Sequence, residues 1–165
     1  MAAGPSSRGL STSPARSALM RQVSTRNSAP ERVIRSHLHA CGLRFRLHGA
    51  GLPGRPDIVL AGRRAVVFVH GCFWHGHDCV HGRVKARTNT DYWSAKLADN
   101  QARDRRQVAA LTDAGWTVEI VWECQCSVSH ALDNLVRRLQ SLPLVKTRVR
   151  GVARSLRATS HVPAR

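Results

Sequence analysis

The sequence predicts an α/β fold in which a mixed β-sheet is flanked by helices. Read in order, the periodic segments are a helix, three strands, a helix, a strand and a helix. Two strand segments are near-continuous, mostly β-branched runs, a pattern typical of central strands that are covered on both faces. A chain of 165 residues is long enough for one domain with a modest core. We therefore expect one domain at 19–140, between a low-complexity, disordered tail at 1–18 and a basic tail at 141–165.

Capping signals and apolar spacing predict the helices. Ser28 and Pro30 begin the first helix, and Gly42 ends it. A long helix over 89–114 stops at Gly115. Apolar residues three and four apart predict a closing amphipathic helix. They are Leu132, Leu135, Val136 and Leu139.

Alternation and apolar runs predict the strands. Three apolar residues alternate with three basic ones after Gly42, which indicates a half-buried strand with one solvent-facing side. The apolar residues are Leu43, Phe45 and Leu47, and the basic ones are Arg44, Arg46 and His48. Segments 57–61 and 65–70 then form a hairpin across a tight turn. Alternation over 116–122 predicts the last strand.

The charge balance limits the class of partner. The formal net charge is +16, and the positive residues lie along the whole chain, which favours nucleic acid over an anionic lipid surface. No stretch approaches the roughly 20 apolar residues that a membrane span needs. Five cysteines, an odd number, and no visible secretory signal predict a reducing cytoplasm, where clustered Cys and His bind metal rather than form disulfides.

The predicted hairpin brings an acid and a histidine together. A turn centred just after Gly62 pairs Asp57 with Phe68 and places His70 as the diagonal neighbour on the same face, with the Val69 carbonyl between them. A carboxylate and a main-chain carbonyl beside phosphate suit Mg²⁺. A loop-capping aspartate and an ordinary strand-end histidine are the alternatives, but the two residues together in a strongly basic chain favour the metal site.

A second cluster is rich in cysteine and histidine. Cys72, His77 and Cys79 lie within eight positions, and Cys124 follows a strand that could return to the same edge of the sheet. Three thiolates and an imidazole form a closed tetrahedral set, the usual structural Zn²⁺ site. The choices left open are His75 or His81 in place of His77, and Cys126 in place of Cys124.

Adjacent aromatic pairs flank this cluster. Phe73 and Trp74 occupy a glycine-bounded loop, and Tyr92 and Trp93 begin the long helix. Aromatic side chains held stiffly by a metal loop can insert into a base stack. We favour that role for Trp74, whereas for Trp93 simple packing of the helix on the sheet is an equal alternative.

Together the motifs resemble the very-short-patch-repair (Vsr) DNA mismatch endonucleases, a zinc-bearing branch of the PD-(D/E)XK nucleases with a restriction-endonuclease-like fold. The resemblance covers residues 19–126 in order. The superfamily's second acid and lysine fall at Phe68 and His70 here, and Val69 stands where a threonine can occur. The matching stretches are Met20-Arg21 through Glu31, LPGRPD at 52–57, VFVHGCFWH at 67–75, Tyr92-Trp93, RDRR at 103–106, and Gly115-Trp116 through Glu123-Cys124.

The resemblance implies a role for each matched residue. Asp57 and the Val69 carbonyl would hold Mg²⁺, with Glu31 joining the site from the first helix. His70 and His75 would handle protons and the phosphate, with Asp104 orienting His75 as the general base. Zn²⁺ would be held by Cys72, His77, Cys79 and Cys124, and the DNA-intercalating residues would be Phe73, Trp74, Trp93 and Met20.

The implied activity is a nick in one strand of duplex DNA, 5′ to the thymine of a T:G mismatch, that starts very short patch repair. We expect a protein that is monomeric on DNA and associated with the bacterial nucleoid. The alternatives are a restriction-type nuclease that reads a sequence, and a zinc-stabilised DNA-binding module without catalysis.

Overall fold

The structure is a computed structural model, described for residues 27–83 and 89–145. Met20, the tail at 1–18 and most of the tail at 141–165 lie outside the described residues. The helices are α1 (Ala29–Ala40), α2 (Thr90–Asp113) and α3 (Ser129–Ser141), and the strands are β1 (Arg46–Leu47), β2 (Ile58–Leu60), β3 (Ala65–His70) and β4 (Thr117–Trp122). The predicted α/β fold, a mixed sheet flanked by helices, is confirmed.

The four strands form one sheet in the order β1-β2-β3-β4. The pairs β1–β2 and β2–β3 are antiparallel, and β3–β4 is parallel, because α2 crosses over between these two strands. In the β2–β3 hairpin Ile58 pairs with Val67, and Leu60 pairs with Ala65, which confirms the predicted register. The hairpin thus presents its far end, at Asp57 and His70, on the predicted edge of the sheet.

The sheet separates two apolar clusters. On one face α1 and α3 pack against alternate strand residues, including Ile58, Val67 and Val121. On the other face Leu111 of α2 packs with Val59, and β4 contributes partly buried side chains. The remaining members of this second cluster are Val66 and Phe68, with Trp116, Val118 and Ile120 packed against them.

Three predicted strands are shorter than the sequence pattern suggested. β1 holds only Arg46 and Leu47, because the Leu43 N–H instead closes the end of α1 on the Leu38 carbonyl (3.0 Å). β2 ends at Leu60, because a short 3₁₀ helix begins at the next residue. A longer β1 would therefore have no strand residues to pair with. Likewise Asp57 precedes β2 and Trp116 precedes β4. No helix among the described residues is both long and apolar enough to cross a membrane.

Candidate active site and metal centre

Asp57 is fixed at the open end of the β2–β3 hairpin. Its backbone carbonyl accepts a hydrogen bond from the His48 N–H (3.2 Å), which extends the β1–β2 ladder by one residue. Its carboxylate accepts the Val69 N–H at 2.8 Å. Since the N–H and C=O of one residue point to the same side of an extended strand, the Val69 carbonyl also faces Asp57. The predicted pair of oxygen donors therefore shares one edge of the sheet.

The surroundings of Asp57 favour binding of a cation. Burial is the largest influence and raises the pKa of this carboxyl above its ordinary value, and the nearby charge of Glu31 raises it further. The Val69 N–H, His48 and Arg35 act in the opposite direction without cancelling the rise. A carboxylate that is costly to ionise fits a divalent ion, which would offset that cost.

Glu31 lies at the start of α1 and is only 5% exposed. It forms a reciprocal capping box with Ser28, whose hydroxyl also donates to its carboxylate (3.0 Å). The other carboxylate oxygen pairs with the Arg35 guanidinium. Glu31 thus serves the helix start and at the same time places a second negative charge near Asp57.

Beyond β3, two histidines and an aspartate form a second group. The rings of His70 and His75 stack in parallel, with centroids 3.8 Å apart and planes 7° apart. His75 Nδ1 lies 2.5 Å from Asp104 Oδ2, which joins the loop after β3 to the middle of α2. Both side chains are mostly buried, at 20% and 14% exposure. The aspartate therefore fixes the orientation of the His75 ring and leaves its Nε2 atom available.

Electrostatics assign different charge states to these groups. Burial, together with the neighbouring His75 and Arg103, lowers the pKa of His70 to about 4, although Asp104 opposes this shift. His70 is therefore neutral near pH 7 in the free protein. Burial works against ionisation of Asp104, but the hydrogen bond and charge of His75, aided by His70 and Arg103, lower the pKa of that carboxyl overall. Asp104 therefore remains an anion beside the His75 ring.

The predicted cysteine and histidine ligands come together where the same loop meets the end of β4. The ligand atoms of Cys72, His77, Cys79 and Cys124 all lie within 4.8 Å of one another. The Cys124 sulfur is 3.5 Å from His77 Nδ1. Of the alternatives, His75 belongs to the Asp104 pair, and the Cys126 thiol lies by the Trp122 and Pro30 carbonyls.

The donor set fits a thiophilic cation such as Zn²⁺. Burial opposes ionisation of Cys79, but the Gly82 N–H with His77 and Cys72 lowers the pKa of this thiol to about 6. Burial and the two neighbouring thiols raise the pKa of Cys124 to about 12. Three thiolates so close together repel one another unless a cation lies among them, so the arrangement suits a metal ion better than free thiols.

The loop that carries these ligands depends on close backbone contact. Gly82 lies against the His77 carbonyl, and a Cβ atom built on it would be 1.9 Å from that oxygen. The Gly82 N–H approaches the Cys79 sulfur at 3.4 Å, as a hydrogen bond to a metal-bound thiolate would. A side chain at this position would displace the chain between two candidate ligands.

The four neighbouring aromatic residues form one cluster beside the loop. Trp93 is 5.5 Å from Phe73 and 5.8 Å from Trp74, ring centre to ring centre. Tyr92 contacts the Trp93 ring edge-on. Trp93 thus contacts the loop aromatics, whereas the two apolar clusters on the sheet do not include it. Phe73, Trp74 and Trp93 are all half-buried, so part of each ring faces solvent.

Comparison with known proteins identifies the family. A family model described as DNA mismatch endonuclease Vsr matches residues 10–81. The chain is 51% identical to the type II nicking enzyme V.XorIIP of Xanthomonas oryzae over 121 residues, 73% of this chain and 88% of that protein. The chain belongs to the Vsr family. It is also 49% identical to the DNA mismatch endonuclease Vsr of Escherichia coli, over 66% of this chain and 69% of that protein.

Membership in the Vsr family confirms several predictions together. The protein is a hydrolytic DNA endonuclease of the nicking type, and DNA is its partner. The family implies dependence on a divalent metal, and the Cys/His cluster can hold a metal ion. A further relative, the nicking enzyme V.NmeAIP of Neisseria meningitidis, is 36% identical over 78% of this chain and 94% of that protein.

Sequence reasoning missed three residues that support the Vsr-like site. Arg35 neutralises Glu31, Asn100 donates to the Trp74 carbonyl (2.9 Å), and Trp122 lies between His70 and His77. The one sequence signal that could have been used is the position of Asn100 one helical turn before Asp104, which puts both residues on the same face of α2. In the structure Asn100 is buried.

Proposed function

We propose that this protein nicks one strand of duplex DNA on the 5′ side of the thymine in a T:G mismatch, by Mg²⁺-dependent hydrolysis. The observation that carries the proposal is the placement of the Asp57 carboxylate and the His75–Asp104 pair at the same end of β3. A metal-binding acid and an oriented imidazole are the two parts that hydrolysis of a phosphodiester requires.

Asp57 and the Val69 carbonyl would hold the Mg²⁺ ion, with Glu31 adding negative charge nearby. When bound, the ion supplies neutralisation of the phosphate charge and a lower pKa for a coordinated water. The protein's own contribution is to fix Asp57: the Val69 N–H of β3 holds one carboxylate oxygen, and the His48 N–H, just beyond β1, holds the backbone carbonyl. A residue held through both its side chain and its backbone keeps its geometry when DNA binds.

The two histidines would divide proton transfer and phosphate binding. Because Asp104 accepts the Nδ1–H of His75, the Nε2 atom carries the lone pair and can take a proton from the attacking water. His70 is neutral in the free protein and would donate an N–H to the scissile phosphate. The negative charge of that phosphate would favour the protonated form of His70, and protonated His70 would then supply a proton to the leaving oxygen.

The remaining predicted residues would serve recognition and stability. Zn²⁺ held by Cys72, His77, Cys79 and Cys124 would stiffen the loop that carries His75. Phe73, Trp74 and Trp93 would leave their mutual packing and insert beside the mismatch, with Met20 closing on the duplex. We propose that one protein molecule acts on each mismatch, within the bacterial nucleoid, and that the nick starts very short patch repair.

The proposal is tested with end-labelled duplexes that share flanks and differ in a single T:G or T:A pair, incubated with or without added Mg²⁺. We expect one nick, 5′ to the mismatched thymine, only with T:G and Mg²⁺. Asp57→Ala should abolish it, whereas Asp99→Ala, at an exposed position of α2, should not. Equal nicking of both duplexes would instead favour a nickase that reads a sequence. Several relatives bear the name "type II nicking enzyme", which is the reason for testing this alternative.

A binding module without catalysis predicts a different result. It would bind duplex DNA tightly and lose affinity steeply with salt, but it would leave both strands intact at every Mg²⁺ concentration. The same gel therefore separates all three functions.

A further inference from the structure

Trp122, the last residue of β4, belongs to neither group of candidate ligands. It is paired in parallel register with His70, the last residue of β3. Alternation along β4 puts its side chain on the α2 face of the sheet, together with Val118 and Ile120. His70 lies on that face too, so the two side chains are neighbours across adjacent strands.

The indole of Trp122 contacts a histidine on each side. Its ring meets His70 edge-on, with centroids 5.3 Å apart and planes at 73°. It stacks on His77, with centroids 4.3 Å apart and planes at 20°. The indole thus separates a candidate catalytic histidine from a candidate metal ligand.

These contacts complete an unbroken series of side chains. Asp104 holds His75, His75 stacks on His70, His70 contacts Trp122, and Trp122 stacks on His77, whose Nδ1 lies by the Cys124 sulfur. The contact between Asp104 and His75 is a hydrogen bond within the proposed proton-transfer pair. The contacts from His75 through to His77 are between aromatic rings. The other ring orientations depend on packing, and Trp122 is the member that joins the two halves.

We propose that Trp122 is a positioning residue for nicking, which holds the His70 ring in its stack on His75 by resting against His77, a candidate zinc ligand. This inference builds on the proposed function. Without the indole, the His70 ring has no packing contact on the side of β4. It can then rotate away from the orientation in which it would donate to the phosphate. A displacement of about 1 Å in a reacting group can slow catalysis about 100-fold, whereas DNA binding, which rests on many contacts, changes little.

The test compares Trp122→Leu and Trp122→Phe with a matched control, Trp116→Leu. Trp116 lies just before β4 on the same face, where it packs on the second apolar cluster under the Arg64 guanidinium, far along the strand from the histidines. For each protein we measure the single-turnover nicking rate at saturating enzyme, the dissociation constant for the T:G duplex, the zinc content and Tm.

Trp122→Leu should nick about 10- to 100-fold more slowly, with duplex affinity and zinc content within about twofold of the parent protein. Trp122→Phe, which retains a ring face between the histidines, should recover most of the rate. Trp116→Leu should lower Tm without slowing the reaction. If Trp122→Leu does not fold, Trp122→Met is judged by the same criteria.

Three results would overturn the inference: an unchanged rate in Trp122→Leu, a loss of rate that parallels loss of zinc or of DNA affinity, or equal slowing by Trp116→Leu. Each presupposes that the parent protein nicks the T:G duplex. A parent protein that does not nick it refutes the proposed function itself, so the two failures are distinguishable.

Discussion

Asp104→Asn tests the proposed proton transfer most directly. The substitution preserves the size of the side chain but removes the charge that lies 2.5 Å from His75 Nδ1. The asparagine amide can also donate to Nδ1, which would force the imidazole into the opposite tautomer and place its proton on Nε2. The atom assigned to accept the proton of water would then already carry one.

The expected loss can be worked out from the interaction removed. The Asp104 carboxylate stabilises the charge that the His75 ring gains when it takes the proton of water, and a hydrogen bond to a charged group is worth about 1.5–3 kcal/mol. Loss of a stabilisation of this size in the transition state should slow nicking by about 10- to 150-fold from this source alone. The partners are only 20% and 14% exposed, so solvent screening reduces this figure little. The loss should be larger if the tautomer also inverts.

The assay is single-turnover nicking of the labelled T:G duplex with saturating enzyme and Mg²⁺, together with the dissociation constant for the same duplex. Asp99→Asn, at an exposed position of the same helix, is the matched control and should behave as the parent protein. Nicking by Asp104→Asn at the parent rate would refute the assignment of His75 as the base. A loss confined to duplex affinity would refute it as well, since the pair would then act in binding.

Three further predictions concern the other parts of the site. Because burial raises the pKa of Asp57 in the folded protein, its ionised form costs stability above the unfolded pKa near 3.8. Asp57→Asn should therefore raise Tm at pH 7 without Mg²⁺, and the difference should vanish as the pH falls towards 4. Cys124→Ser should lower both zinc content and Tm, whereas Cys126→Ser should retain zinc; retention by both, measured by metal analysis, would remove Cys124 from the ligand set. Trp74→Ala should weaken T:G duplex binding about 5- to 150-fold, as expected for one stacked base, and should weaken matched-duplex binding less. An equal loss in titrations of both duplexes would contradict intercalation.

The fold was predictable where local pattern and tertiary packing agree. The register of the β2–β3 hairpin follows from the turn after Gly62, since in a hairpin the turn fixes which residues of the two strands pair. The ends of β1 were not predictable in this way. Leu43 alternates as a strand residue would, but its N–H completes the end of α1, and β2 is too short to pair with it. Alternation shows which side of the chain is apolar, not whether a partner strand is present.

The site divides in the same way. Asp57 and Val69 are neighbours in one hairpin, so the sequence alone could place them together. His75 and Asp104 are separated by 29 positions, and their contact depends on the angle at which α2 crosses the sheet. Only the family resemblance anticipated that pair. Trp122 carried no signal, since an aromatic residue at the end of a strand is ordinary in any α/β fold.

Glu31 shows why a local explanation can conceal a second role. The spacing of Ser28 and Glu31 is that of a capping box, which accounts for the residue completely at the level of sequence. Yet a helix start needs no buried carboxylate, and this one is buried, paired with Arg35 and close enough to raise the pKa of Asp57. Burial and the charge of Glu31 raise the pKa of Asp57 and so make its ionised form costly in the free protein, and a divalent cation held by Asp57 would relieve that cost. The same charges that lower stability in the absence of Mg²⁺ would then favour its binding, which is why a more stable Asp57→Asn protein is expected to be an inactive one.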